Sequence, residues 1–229
     1  MVTTNVPPTG QHAAADALAS GAELVLFDLD GVLVDTLPVM RSAWEAVRSD
    51  YGIQIPFESY VQHLGRPFPD IMALLGLHTA EGVESTYDAV SLRNAHLARP
   101  FPGIEEALRT IASAGCQLGV VTSKPLARAA RLLDRLGCPL SVIRTPTRER
   151  GKPAPDTLLT ALVEARTDPA DAIYVGDMAV DQEAARRAGV RYVHAGWGYG
   201  TPAEPIPLVL HTPTELVLLT GRGEDVRPV

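Results

Sequence analysis

The chain has 229 residues, 46% of them hydrophobic, and a formal net charge of −7 from 20 Lys and Arg against 27 Asp and Glu. This is enough for one domain with a sizeable insertion and a real core, and it offers no basic surface to nucleic acid or to an anionic membrane. The two cysteines, Cys116 and Cys138, lack C-x-x-C spacing and are expected as reduced thiols. No apolar run approaches the roughly 20 residues of a membrane span and no signal-peptide pattern opens the sequence, so a cytoplasmic protein is expected.

Residues 1–10, rich in Pro, Thr and Gly, read as a loose tail before a short alanine-rich helix around 11–20. "LVLF", Leu24 to Phe27, reads as a buried strand of a parallel sheet, and it runs into Asp28, Leu29, Asp30 and Gly31. In an extended segment Asp28 and Asp30 point to the same face. Such closeness is costly unless a cation or a reaction uses it, and Gly31 allows a tight turn beside a ligand. The plainer alternative is an ordinary Asp-Gly turn.

From Val39 the apolar residues recur at helical spacing, and helical patterns continue with breaks to about residue 98, with no strand among them. The pattern then alternates. "GIEEALRTIASAG" places Ile104, Ala107, Leu108 and Ile111 on one helix face. "CQLGVVTS" reads as a strand, "PLARAARLLDRLG" as a helix stopped by Gly137, "LSVIRT" as a strand and "DTLLTALVEA" as a helix. "AIYVGD", "DQEAARRAG", "VRYVHA" and "LVLHT" continue the series. The expected fold class is α/β: a Rossmann-like, mostly parallel sheet with helices on both faces. It comprises a tail and helix over 1–20, a core formed by 21–36 and 99–229, and a helical insert over 37–98.

Ligands in such sheets bind at the carboxyl ends of the strands. Those ends supply Asp28 and Asp30, then Thr122 and Ser123 at an expected helix start, then Lys152 in "RGKPAPD", then Asp177 and Asp181 in "GDMAVD". Each fragment alone has an everyday reading as an N-cap, a surface lysine or a turn. Together they describe a phosphate site. Hydroxyls and backbone N–H groups at a helix N-terminus and the Lys152 ammonium suit phosphate oxygens. Four carboxylates against one lysine would repel that phosphate. A divalent cation resolves the conflict, and an all-oxygen ligand set points to Mg²⁺ rather than zinc.

The motifs "DLDGVLVD", "VVTSK", "GKPAPD" and "GDMAVD", in this order, resemble the four motifs of the haloacid dehalogenase-like phosphatase superfamily. The helical insert, "RPFPGIEEAL" and "WGYG" resemble its phosphoglycolate phosphatase-like branch, whose insert is a cap. The cap stretch "HLGRPFPDIMALLGL" also looks like phosphatases of aminohydroxybenzoate (ansamycin-type) antibiotic biosynthesis. The resemblance implies that Asp28 attacks phosphorus to form an aspartyl-phosphate, that Asp30 carries the proton, and that Thr122 and Lys152 bind the transferring group. It implies that Asp28, the carbonyl of Asp30 and Asp177 hold Mg²⁺, with Asp181 supporting that shell. The substrate is then a small phosphate ester, phosphoglycolate-like or a sugar or aminosugar phosphate.

Asp30 argues for phosphoryl transfer rather than dehalogenation. Sugar-phosphate mutases of the group carry a cap histidine where this chain has Met40, which favours hydrolysis over that alternative. A phosphoacceptor signalling module is the alternative from a different class, but such modules are about half this length. Arg66 in the insert either reads the substrate or is solvated on the surface. Oligomeric state is not legible.

Overall fold

The computed structural model describes residues 21–77, 82–147, 150–205 and 207–221; the expected helix over 11–20 lies outside them. The six-stranded sheet is parallel throughout. Its strands are β1 (Leu24–Phe27), β4 (Gln117–Val121), β5 (Val142–Arg144), β6 (Ala172–Gly176), β7 (Arg191–Ala195) and β8 (Leu208–Leu210). They lie in the order β5-β4-β1-β6-β7-β8. β1 is central, with β4 on one side and β6 on the other, so the chain reverses its direction of winding there and leaves a crevice at the strand ends.

The continuous apolar run of β1 follows from burial on both faces. Val25 and Phe27 enter one hydrophobic cluster with Ile104, Leu108 and Val120, while Leu24 and Leu26 enter the opposite one with Leu158 and Leu162. Period-2 geometry divides four consecutive apolar residues between two cores. The helices that cover them are α5 (Ile104–Ser113), α6 (Leu126–Leu133), α7 (Asp156–Ala165) and α8 (Ala179–Ala188).

Between Leu37 and Leu97 the described residues are helical or looped: α1 (Leu37–Tyr51), α2 (Phe57–Val61), α3 (Phe68–Leu74), α4 (Val83–Arg93) and a 3₁₀ turn at Ala95–Leu97. They bury a third cluster of their own around Trp44, Phe57, Tyr60, Phe68, Met72 and Tyr87. Trp44 stacks on Tyr60 at 4.8 Å and donates its indole N–H to the Ile55 carbonyl at 3.1 Å, so its burial leaves no polar atom unpaired. One feature was not foreseen. Where the chain leaves the core and returns, β2 (Val34–Asp35) and β3 (Arg99–Pro100) pair antiparallel, a two-residue ribbon too short to show any periodicity. Among the described residues no helix is long and apolar enough to cross a membrane. Neither Cys116 nor Cys138 forms a disulfide.

Candidate active site

Asp28 continues β1: its N–H still donates to the Val175 carbonyl at 2.9 Å, and its carboxyl is buried. Three residues on, Gly31 has φ +83°, and a Cβ there would land on the Asp177 carboxylate. Gly198 closes the other side, since a Cβ on it would collide with the Asp177 side chain and the Gly31 carbonyl. Both positions require glycine because the loop bearing "WGYG" lies directly on the acidic residues.

Lys152, itself buried, reaches between two of those acids. Its Nζ lies 3.0 Å from Asp28 Oδ1 and 2.7 Å from Asp181 Oδ1, and it donates to the Tyr174 hydroxyl at 3.0 Å. Asp181 is fully engaged. Its Oδ1 also lies 3.0 Å from the Tyr174 hydroxyl, and its Oδ2 accepts the Met178 N–H at 3.0 Å. Asp177 accepts the Tyr199 N–H on Oδ2 at 2.7 Å, while its Oδ1 is buried with no partner. Asp28 Oδ1 is close to Lys152 but outside hydrogen-bonding geometry. Oxygens of Asp28, Asp177 and Asp181 lie within 4.8 Å of one another.

The cost of this arrangement shows in proton affinity. Burial pushes Asp28 up to about 7; Lys152 opposes the shift, and Asp181 and Asp30 add to it. Burial, then Asp181 and Asp28, hold Asp177 well above the carboxylate range. Burial alone would lower Lys152, but Asp181 and Asp28 together keep it above the usual lysine value. Three buried carboxylates with oxygens this close, one of them the unpartnered Asp177 Oδ1, are hard donors that fit a divalent cation.

Asp30 has a separate partner set. Its Oδ1 accepts the Thr36 hydroxyl at 2.6 Å and lies 3.1 Å from Lys124 Nζ, and Thr36 donates its N–H to the Tyr199 hydroxyl at 2.6 Å. Burial lowers Lys124, and Asp30 partly restores it. The two carboxylates of "DLD" are therefore each opposed to their own lysine.

Thr122 and Ser123 do not begin a helix. α6 starts at Leu126 behind Pro125, and the residues between form a turn in which Thr122 Oγ1 accepts the Lys124 N–H at 3.2 Å. Proline at 125 delays the start because residues before it are biased out of the helical region. Ser123 donates its hydroxyl to the Gly65 carbonyl of the insert at 2.7 Å. One cavity joins Asp28, Asp30, Thr122 and Ser123 to Arg66 and to the aromatic wall of Tyr60, Phe68 and Tyr87. Lys152, Asp177 and Asp181 are buried and do not line it. The sequence reading passed over Lys124, although it stands in "VVTSK", and over Thr36, Tyr174 and Tyr199; none of these residue types signals chemistry by spacing alone.

Residues 25–195 match the family model for haloacid dehalogenase-like hydrolase. The chain is 33% identical over 220 residues to the N-acetylmuramic acid 6-phosphate phosphatase of Pseudomonas aeruginosa, covering 87% of this chain and 95% of that protein. It is 35% identical over 198 residues to a plasmid-encoded phosphoglycolate phosphatase of Cupriavidus necator, covering 80% and 85%. Its fold is similar to the crystal structure of a hydrolase from Pseudomonas syringae, with a TM-score of 0.76 at 22% identity over 86% of this chain and 96% of that one.

Proposed function

The chain belongs to the haloacid dehalogenase-like hydrolase family, and we propose that it is a phosphatase that hydrolyses a small-molecule phosphate monoester through an aspartyl-phosphate on Asp28, with Mg²⁺ as cofactor. The core is formed by 21–36 and 99–229, and the insert over 37–98 is a cap that covers the site. The substrate is phosphoglycolate-like or a sugar or aminosugar phosphate, in keeping with the names of the relatives.

The observation that carries this reading is the pairing of Lys152 with Asp28 Oδ1 beside the buried, unpartnered Oδ1 of Asp177. Asp28, the Asp30 carbonyl and Asp177 would hold the cation. Asp181, both of whose oxygens are occupied, keeps Lys152 and the Met178 backbone in place. The cation supplies charge neutralisation that lets a phosphate enter among carboxylates.

Lys152 and the Thr122 hydroxyl bind the phosphoryl oxygens, with the backbone of Ser123. Asp28 forms the new O–P bond as the ester O–P bond breaks. The departing alkoxide takes its proton from Asp30, which then accepts one from the water that attacks phosphorus and returns Asp28 to a carboxylate. Lys124 and Thr36 hold Asp30 on one oxygen and leave the other for this transfer. Arg66, on the cavity wall, contacts the organic half.

The test is acid quenching during turnover with Mg²⁺ and p-nitrophenyl phosphate, followed by mass spectrometry. The peptide containing Asp28 should carry one phosphoryl group, and chelator should abolish both turnover and label. Phosphate release with no label on that peptide at any time would sink the covalent route.

A further inference from the structure

Four residues past Lys124, Arg128 enters the same cavity from α6, on the side walled by the aromatic rings of the insert. Its Nε lies 3.0 Å from Asp88 Oδ1, and its side chain is 9% exposed. The guanidinium carbon stands 5.2 Å from the centre of the Tyr87 ring, whose hydroxyl accepts from that of Tyr60 at 3.0 Å. Phe68, Ile71 and Leu64 complete this apolar end.

The charges lining the cavity are unevenly distributed. Its carboxylates, Asp28 and Asp30, each already face a lysine, whereas Arg66 and Arg128 have no carboxylate among the lining residues. Asp88, the one carboxylate partnered with Arg128 among the described residues, stands outside the lining and is 36% exposed. A largely buried guanidinium stacked on a tyrosine presents a planar fork that matches a carboxylate.

Docking of the insert uses Arg128 through Asp88 of α4, but two other arginines share that task. Arg131 donates to the Leu92 carbonyl at 3.3 Å, and Arg135 to the carbonyls of Ala95 and Ala98 at 3.3 and 3.0 Å. These arginines hold α6 and the 3₁₀ turn after it (Asp134–Leu136) against the insert through backbone oxygens. Arg128 is the member of that helical stripe that faces the cavity.

We propose that Arg128 is a specificity-determining residue that binds a second anionic group, a carboxylate, on the organic half of the phosphate ester. The inference rests on the phosphatase reading above. The substrate class is a phosphorylated hydroxy acid or acidic sugar, and its carboxylate takes the guanidinium edge that Asp88 does not engage, with the Tyr60 and Tyr87 hydroxyls beside it.

The test compares acid and neutral esters of matched size on the full chain with Mg²⁺: 2-phosphoglycolate against 2-hydroxyethyl phosphate, 3-phosphoglycerate against glycerol 3-phosphate, and 6-phosphogluconate against glucose 6-phosphate. The wild type should prefer the acid in at least one pair. In Arg128→Gln the acid-to-neutral ratio of kcat/KM for that pair should fall about thirtyfold, chiefly through KM, as expected when one partner of a desolvated charge pair is removed. Arg128→Lys should recover only part of the ratio, because an ammonium lacks the fork.

Asp88→Asn separates this role from docking, since it breaks the Asp88 ion pair but leaves the guanidinium in the cavity; the ratio should stay within about threefold of wild type. Equal losses on acid and neutral esters in Arg128→Gln would overturn the proposal, as would a wild type without acid preference in all three pairs. Hydrolysis of p-nitrophenyl phosphate keeps the two readings apart. Activity on it without acid preference refutes the role of Arg128 alone, and no activity on any ester refutes the phosphatase reading and this inference with it.

Discussion

At the strand ends of the core, Asp28, Lys152, Tyr174 and Asp181 hold one another at 2.7 to 3.0 Å with almost no exposure to solvent. At the insert end of the same cavity, tilted ring pairs and apolar side chains form the wall, with one hydroxyl pair and two arginines for polarity. The first end is a network in which removing one member leaves another buried and unpaired. The second is a packed surface in which single changes are absorbed. The difference teaches how each end tolerates change: crowded charges are stabilised only within a fully bonded network, while a packed apolar wall can vary without unfolding the core.

The largest effect should follow from Asp28→Asn. Phosphate release should fall at least about a thousandfold, while the melting temperature of the metal-free protein is not lowered, because one member of a repelling set has been neutralised. Near-normal turnover in this folded variant would remove the core end from the chemistry.

Lys152→Met should cost about 3–5 kcal/mol in urea unfolding, the usual penalty for stranding a buried charge partner. A loss below about 1 kcal/mol would mean that Asp28 and Asp181 are solvated, and the contrast between the two ends would fail.

Metal and pH sharpen the contrast further. Asp28 titrates near 3.8 when free and is held up to about 7 in the fold, so folding of the metal-free protein takes up a proton between those values. Its contribution to stability is full below pH 4, falls as pH rises towards 7, and stays low above that. Mg²⁺ should therefore raise the melting temperature by several degrees at pH 8 and by much less at pH 5. An equal rise at both pH values in differential scanning fluorimetry would rule out this linkage.

The smallest effect belongs to the insert. Tyr60→Phe removes one hydroxyl pair and should cost about 1 kcal/mol, read as a small shift in the urea midpoint. A cost equal to that of Lys152→Met would show that the two ends are built alike after all.

Much of the core was legible before any coordinates. The strand–helix alternation and the run "LVLF" place β1 between two hydrophobic clusters, and α7 spans Asp156–Ala165 as its pattern predicts. Strand ends in a parallel sheet are also where ligands bind, so the motifs of Asp28, Lys152, Asp177 and Asp181 could be expected to meet there, as they do. The insert was legible only as helical. Its spacing does not reveal that Tyr60 meets Tyr87, or that Arg128, on a core helix, faces both.

By itself, then, the sequence determined the fold class and the residues that crowd the strand ends. Those properties follow from local periodicity and from residue charge. Only the tertiary structure decided that Asp28 and Asp30 face different lysines, that Ser123 bonds to Gly65 rather than capping a helix, and that Gly31 and Gly198 close on Asp177. Each of these depends on contacts between residues distant in the chain, and no pattern of neighbours encodes the distance at which two separated side chains come to rest.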